Sequence, residues 1–147
     1  MLECVVVVTD YQATQVDILI EKEVGTGRNH EVDIALDPLE GTTITAKGMP
    51  NSLSVIAAAQ RGGLLYAPDT YMNKIAVGGD LPDGIVDLDA TTKENMQSIA
   101  DAKKVPINEV TACVLERPRH DSIIEDLRSI GAKIVLIPDG DVAGNIM

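Results

Sequence analysis

From residue 91 onward, hydrophobic residues first follow the spacing of a helix. Ile99 and Ala100 lie three and four positions after Met96, so the three side chains share one helical face. Before them, Thr91 and Glu94 have the spacing of a capping box, in which each side chain satisfies a backbone N–H of the first helical turn. The pattern predicts an amphipathic helix that begins after Thr91.

Two short apolar runs flank a second helical pattern. Residues 111–115 and 133–137 are mostly apolar. The first run predicts a buried strand and the second predicts the next strand. The hydrophobic residues that mark one face of the intervening helix are Ile123, Ile124, Leu127 and Ile130. Gly131 is placed to end that helix. A strand, a helix and a strand within this length predict a βαβ unit with parallel strands.

The earlier part of the chain consists of short apolar runs that glycine and proline interrupt. After an apolar start and a second run at 16–20, strand candidates cover residues 32–36, 52–59 and 70–77. This texture is typical of an α+β or sheet-rich region. The predicted fold class is therefore α/β, with an α+β first part followed by the βαβ unit.

Composition and charge limit the partners. The 147 residues are 45% hydrophobic, and the only aromatics are tyrosines, so the core must consist of valine, isoleucine, leucine and alanine. Twelve basic and 23 acidic side chains give a net charge of −11. This charge argues against nucleic acid or an anionic membrane as a partner. An anionic substrate would require local cations, either a metal or clustered arginines.

Cysteine usage and hydropathy predict a cytoplasmic protein. Cys4 and Cys113 are far apart and match no metal-ligand spacing, and Cys113 lies in an apolar run typical of a core. No apolar stretch is long enough to cross a bilayer. The run at residues 5–8 lacks the basic start and the length of a signal peptide.

The segment with the most chemical content is Asp37-Pro38-Leu39-Glu40-Gly41-Thr42. It follows a short apolar run at 32–36 that predicts a buried strand. We expect Pro38 to end the strand, because proline has no N–H for the ladder, and Gly41 to permit close approach of a ligand. Two carboxylates and a hydroxyl are ligands for a hard divalent cation such as Mg²⁺. The alternative is a solvated acidic turn.

Charged residues follow both predicted parallel strands. Arg117 and Arg119 follow the first, and Asp139 and Asp141 follow the second, so all four are predicted at one sheet edge. Arginines grip phosphate oxygens, and carboxylates accept from sugar hydroxyls. Pro118 stiffens the arginine segment.

Each of these residues also has a plainer interpretation. The arginines are then surface residues, Asp141 caps a helix that starts at Val142, and the Thr42 hydroxyl bonds its own backbone. In the functional interpretation, the backbone N–H groups of Gly41 and Thr42 could donate to phosphate oxygens. His30 and His120 are interpreted as surface or capping residues.

The acidic segment resembles the Asp-Pro-(Ile/Leu)-(Asp/Glu)-Gly-Thr signature of the lithium-sensitive, metal-dependent phosphatases. Five further segments occur in the order seen in bacterial class II fructose-1,6-bisphosphatases. They are Val24-Gly25-Thr26-Gly27-Arg28, Val32-Asp33-Ile34-Ala35, Ala67-Pro68-Asp69-Thr70-Tyr71-Met72, Arg117-Pro118-Arg119-His120-Asp121 and Ile137-Pro138-Asp139-Gly140-Asp141-Val142-Ala143. The resemblance runs from about Glu23 to Met147.

This resemblance implies a fold that is part of a layered α-β-α-β-α sandwich. It also implies hydrolysis of the 1-phosphate of fructose 1,6-bisphosphate, a step of gluconeogenesis, with Mn²⁺ or Mg²⁺ as the cofactor. Asp37 and Glu40 would hold metal, and Thr42 would orient the attacking water. The implied substrate-binding residues are Glu40, Gly41, Thr42, Tyr71, Arg117, Pro118, Arg119, Asp139, Gly140 and Asp141. A homo-oligomer is a further expectation. The implied division is a divergent segment at 1–22, a metal- and phosphate-binding part at 23–90 and part of a sugar-binding domain at 91–147.

The chain also departs from the family pattern. The usual front helices are missing, Val8-Thr9-Asp10-Tyr11 stands where the family has Gly-Glu-Gly-Glu, and the sequence stops soon after the Asp-Gly-Asp turn. These departures predict little phosphatase activity and a tendency to self-associate. The alternatives are a phosphatase of another sugar or inositol phosphate, and an inactive fragment that only binds metal or phosphosugar.

Overall fold

The computed structural model describes residues 5–12, 31–64 and 71–146. Within these ranges strands and helices are interspersed along the chain. In order, the elements are β1 (Val5–Gln12), β2 (Val32–Glu40), α1 (Thr42–Ala46), β3 (Leu53–Gln60), β4 (Tyr71–Ala76), α2 (Thr92–Lys103), β5 (Thr111–Leu115), α3 (Asp121–Ser129), β6 (Lys133–Ile137) and α4 (Asp141–Ile146). Short 3₁₀ turns cover Ile107–Glu109 and Pro118–His120.

The larger sheet has four strands in the order β4-β1-β5-β6. β1 is antiparallel to β4 and parallel to β5, and β5 is parallel to β6, with Cys113 opposite Val135. The predicted βαβ unit is therefore confirmed as β5-α3-β6, and so is the α/β fold class. The layered sandwich and the three-part division of the chain stay predictions.

The core lies where α2 and α3 pack on this sheet. Its buried side chains are Met96, Ile99, Ala100, Val110, Ala112, Val114, Ile124 and Leu127. The predicted capping box is present, with the Glu94 N–H donating to Thr91 Oγ1 at 3.2 Å and the Thr91 N–H donating to Glu94 Oε2 at 2.8 Å. Gly131 follows α3 with φ +76°, so the predicted stop of this helix is also confirmed.

β5 is an inner strand of the sheet and is buried on both faces. Ala112 and Val114 point toward the helical core, whereas Cys113 points to the other face, where a Cβ on Gly144 of α4 would lie 3.3 Å from its sulfur. The prediction that Cys113 is a core residue is therefore confirmed. Burial raises the pKa of its thiol, and the charge of Asp141 acts in the same direction.

β2 and β3 form a separate two-stranded antiparallel sheet. One of its faces is apolar and exposed, and the side chains on it include Val32, Ile34, Leu36 and Ile56. Exposed apolar patches of this kind are typical of interaction surfaces. The expected homo-oligomer stays a prediction.

Candidate active site

A bulge in β2 places the two carboxylates of the acidic segment on one face of the small sheet. Asp37 pairs with Val55 and Glu40 with Leu53, so β2 advances three residues while β3 advances two. In a regular strand, residues three apart project from opposite faces, and one extra residue reverses that parity. Since Val55 and Leu53 share a face, Asp37 and Glu40 share it as well.

The prediction that Pro38 ends the strand is wrong. β2 continues through Pro38 to Glu40. The bulge accommodates the proline because the ladder is interrupted there, so no N–H is required of it. Two bonds fix the irregular backbone: the Leu39 N–H donates to Asp37 Oδ1 at 3.0 Å, and Ser54 Oγ donates to the Pro38 carbonyl at 2.7 Å.

Glu40 is a buried carboxylate of the site. Its residue is 4% exposed, and within the described ranges its Oε2 atom has no hydrogen-bond partner. Burial, then the hydrogen bond and charge of Asp141, and last the charge of Asp139 together raise the pKa of Glu40 to about 7. The Val142 N–H acts in the opposite direction. A buried carboxyl with an unsatisfied oxygen beside other carboxylates is an environment that a cation would neutralise.

Two left-handed glycines pack against one isoleucine and bring two turns together. Gly41 has φ +84° and Gly140 has φ +80°. A Cβ on Gly41 would lie 2.8 Å from Ile44 Cδ1, and one on Gly140 would lie 3.0 Å from the same atom. Ile44 is 2% exposed. The acidic segment and the Asp-Gly-Asp turn are thus docked on a shared side chain, with no space for a larger residue at either glycine.

Asp139 joins three segments of the site. Its Oδ2 accepts from the Thr43 N–H at 2.8 Å, and its Oδ1 lies 4.0 Å from Nη2 of Arg117. The N-cap residue of α1 is Gly41, which has no side chain to cap the helix. Asp139, 96 residues away in the sequence, instead accepts from one of the unpaired N–H groups at the start of α1. Asp141 is buried at the first position of α4.

The arginine segment follows the end of β5, as predicted. Arg117 is half-buried and its Nη1 donates to the Glu116 carbonyl at 3.0 Å. Pro118 and Arg119 are exposed and belong to the 3₁₀ turn. The interpretation of His120 as a surface or capping residue is wrong: it is 2% exposed, makes no capping bond to α3, and its Nδ1 lies 2.7 Å from the Leu115 carbonyl.

Other predicted residues are placed less completely. Thr42 is exposed at the first position of α1, and Tyr71 begins β4, although its side chain lies outside the described residues. His30, Cys4 and the run at 16–20 also lie outside them. In the described ranges, no three histidine, cysteine, aspartate or glutamate side chains form a group that could hold a metal ion by themselves.

The whole chain, residues 1–147, matches the family described as "Bacterial fructose-1,6-bisphosphatase, glpX-encoded". The chain belongs to this family. It is 43% identical over 130 residues to fructose-1,6-bisphosphatase 1 class 2 of Escherichia coli strain K12. The identity is the same to the class 2 fructose-1,6-bisphosphatase of Shigella flexneri. Each comparison covers 88% of this chain but 38% of the relative, so the chain spans well under half of these fructose-1,6-bisphosphatases.

No helix in the described part of the chain combines the length and the apolar character that a bilayer crossing requires.

Proposed function

We propose that this chain carries the metal- and phosphosugar-binding part of an enzyme that hydrolyses the 1-phosphate of fructose 1,6-bisphosphate, giving fructose 6-phosphate and phosphate. The observation that carries the proposal is the position of Asp139. Its carboxylate bonds the helix behind the acidic segment and lies beside Arg117. One ligand could therefore contact the acidic segment and the arginines together.

The residues present fit a divalent cation, Mn²⁺ or Mg²⁺, at the acidic segment. Asp37 and Glu40 lie on one face of the small sheet, and the buried Glu40 Oε2 lacks a partner in the described part. Such ions keep several waters and share phosphate oxygens with a substrate, so a protein need not supply every ligand. When bound, the ion would polarise the phosphoryl group and activate a water.

The chain's own residues would bind and orient the substrate. Arg117 and Arg119 are proposed to hold a phosphate, since a chain with net charge −11 must supply cations locally. Thr42, exposed at the start of α1, would orient the attacking water. Tyr71 and the turn at 139–141 would contact the sugar. Because one oxygen of Asp139 already accepts from Thr43, its second oxygen is the one proposed to face the ligand.

Titration of the chain with Mn²⁺ tests the metal half of the proposal. A concentration ten times Kd adds about 1.4 kcal/mol to the free energy of unfolding and raises Tm by a few degrees. The Asp37→Ala variant should lose this shift. The control is Asp83→Ala, which removes an exposed aspartate from the loop before α2. An equal shift in all three proteins would place the metal elsewhere.

The arginine segment gives the second test. We expect Arg117→Ala to weaken binding of fructose 1,6-bisphosphate about tenfold, which is the loss of roughly one charge-assisted contact, and to change binding of inorganic phosphate much less. Isothermal calorimetry in the presence of Mn²⁺ measures both ligands. Arg128→Ala, at an exposed position in the last turn of α3, is the matched control and should bind like the wild type. Unchanged affinity of the Arg117 variant would remove this residue from the site.

One observation favours a second candidate function, the binding of metal and phosphosugar without turnover. In the described ranges the acidic residues do not form a cluster of three that could hold a metal. Phosphate release from fructose 1,6-bisphosphate separates the two functions, because binding without release supports the second. The third candidate is a phosphatase of another sugar phosphate or of an inositol phosphate. The paired arginines favour a bisphosphate substrate over this alternative.

A further inference from the structure

The buried His120 side chain has no role in the chemistry proposed above. It ends the 3₁₀ turn that carries the arginine segment and immediately precedes α3. It is 2% exposed, while its neighbours Pro118, Arg119 and Asp121 are exposed. A histidine is amphipathic, and sequestering its ring requires that its nitrogen atoms find partners or remain unsatisfied.

One ring nitrogen of His120 bonds the end of strand β5. Nδ1 lies 2.7 Å from the Leu115 carbonyl, which can only accept, so Nδ1 carries the proton and donates. β1 pairs with β5 only as far as Val114, and the imidazole therefore serves a carbonyl beyond that ladder. Nε2 is buried and has no partner within the described part of the chain. Among the described residues, the bond to the Leu115 carbonyl is thus the one hydrogen bond of this ring.

Backbone hydrogen bonds also hold the arginine segment, residues 116–120. The His120 N–H donates to the Arg117 carbonyl at 2.8 Å, and the Glu116 N–H donates to the Ile137 carbonyl of β6 at 2.8 Å. The start of the segment is therefore fixed to the sheet, its middle is a closed turn, and the imidazole ties its end back to Leu115. The backbone that carries Arg117 and Arg119 is held at both ends.

We propose that His120 is a positioning residue for the two arginines and that its Nδ1–H bond sets the affinity of the site for a phosphorylated ligand. The identity of that ligand, a sugar bisphosphate, rests on the proposed function. The positioning itself does not, because it concerns the geometry of residues 115–120 in the absence of any ligand. His120 acts through Arg117 and Arg119 and does not contact the substrate.

Two variants separate the donor from the volume of the ring. His120→Asn retains an N–H donor close to the place of Nδ1 and loses ring volume. His120→Leu retains apolar bulk and loses the donor, so the bond from the side chain to the Leu115 carbonyl is removed. If His120 only packs, the leucine variant should bind the ligand more tightly than the asparagine variant. If the hydrogen bond positions the arginines, the asparagine variant should bind more tightly.

Two measurements on the 147-residue chain decide between these outcomes. Calorimetry with fructose 1,6-bisphosphate in saturating Mn²⁺ should show at least tenfold weaker binding for His120→Leu and a change of less than about threefold for His120→Asn, with the affinity for Mn²⁺ alone unchanged in both. Hydrogen exchange without ligand should show faster exchange of the amides of residues 116 and 120 in the leucine variant only, relative to the amides of α2.

The proposal is wrong if both variants lose the same affinity for fructose 1,6-bisphosphate, or if the leucine variant binds it more tightly than the asparagine variant. It is also wrong if amide exchange in the leucine variant matches that of the wild type. If the wild-type chain binds no fructose 1,6-bisphosphate, the proposed function is wrong. The exchange measurement then still decides whether His120 holds the arginine segment.

Discussion

The substitution Gly140→Ala is expected to lower the free energy of unfolding by about 3 kcal/mol, since a non-glycine residue in the left-handed region costs roughly 1–2 kcal/mol and overpacking a well-packed contact adds roughly 1–3 kcal/mol. Gly140 has φ +80°, and an added Cβ would meet Ile44 Cδ1 at 3.0 Å and the Asn51 carbonyl at 3.3 Å. The turn would have to move away from the acidic segment, so binding of Mn²⁺ should weaken together with stability.

Gly131→Ala is the matched control for this prediction. Gly131 has φ +76°, and an added Cβ would meet no atom of the described residues within 4 Å. That variant therefore has the backbone strain without the steric contact. Urea denaturation of both variants measures the difference between them. Adding Ile44→Val to Gly140→Ala removes the nearest clashing atom and should recover part of the loss. If the two alanine variants lose equal stability, the docking of the turns on Ile44 contributes nothing.

The free energy of unfolding of the metal-free protein should decrease, through Glu40, as pH rises from about 4.5 to about 7. Burial, together with Asp141 and Asp139, raises the pKa of Glu40 from 4.5 to about 7 in the folded protein. Between these values the folded state keeps a proton that the unfolded state has released, so raising the pH favours unfolding. The full contribution is present below pH 4.5 and is lost by pH 7, and a shift of this size corresponds to about 3 kcal/mol.

Comparison with Glu40→Gln isolates this contribution, because the amide keeps the shape of the carboxyl and does not titrate. The stability of the wild type relative to the variant should decrease across this pH window by up to about 3 kcal/mol in urea denaturation without metal. Saturating Mn²⁺ at pH 7 should offset the decrease, since the cation replaces the proton as the partner of the buried carboxylate. Parallel curves for the two proteins would show that the environment of Glu40 is not the one described.

The sequence predicted those parts of the structure whose causes are local. The helix after Thr91, the strand at 111–115 and the stop at Gly131 each depend on residues within a few positions, and all three are confirmed. Pairing of the arginine and aspartate segments at one sheet edge followed from the handedness and direction of a βαβ unit. The Arg117–Asp139 pair places these segments as the topology required.

The errors and omissions arose where distant residues decide the geometry. Pro38 reads as the end of a strand unless the bulge opposite Val55 and Leu53 is known, and that bulge depends on the partner strand. The burial of His120 depends on its contact with the Leu115 carbonyl at the end of β5. No periodicity in the sequence signals either feature. The apolar run at 32–36 predicts a buried strand, and the strand is confirmed but its burial is wrong, because Val32, Ile34 and Leu36 lie on the exposed face of the small sheet.

The bond between Thr43 and Asp139 also has a consequence for the order in which the molecule can assemble. It closes a loop of 96 residues, whereas the pairing of Cys113 with Val135 closes one of 22. The entropic cost of the longer closure is greater by about 1 kcal/mol. The Thr43–Asp139 bond, the bonds of Glu40 to the start of α4 and the contacts of Ile44 must offset it. The βαβ unit therefore has the kinetic advantage and can fold before the acidic segment reaches it. The same difference means that thermal fluctuations can detach the small sheet while helices α2 and α3 remain folded.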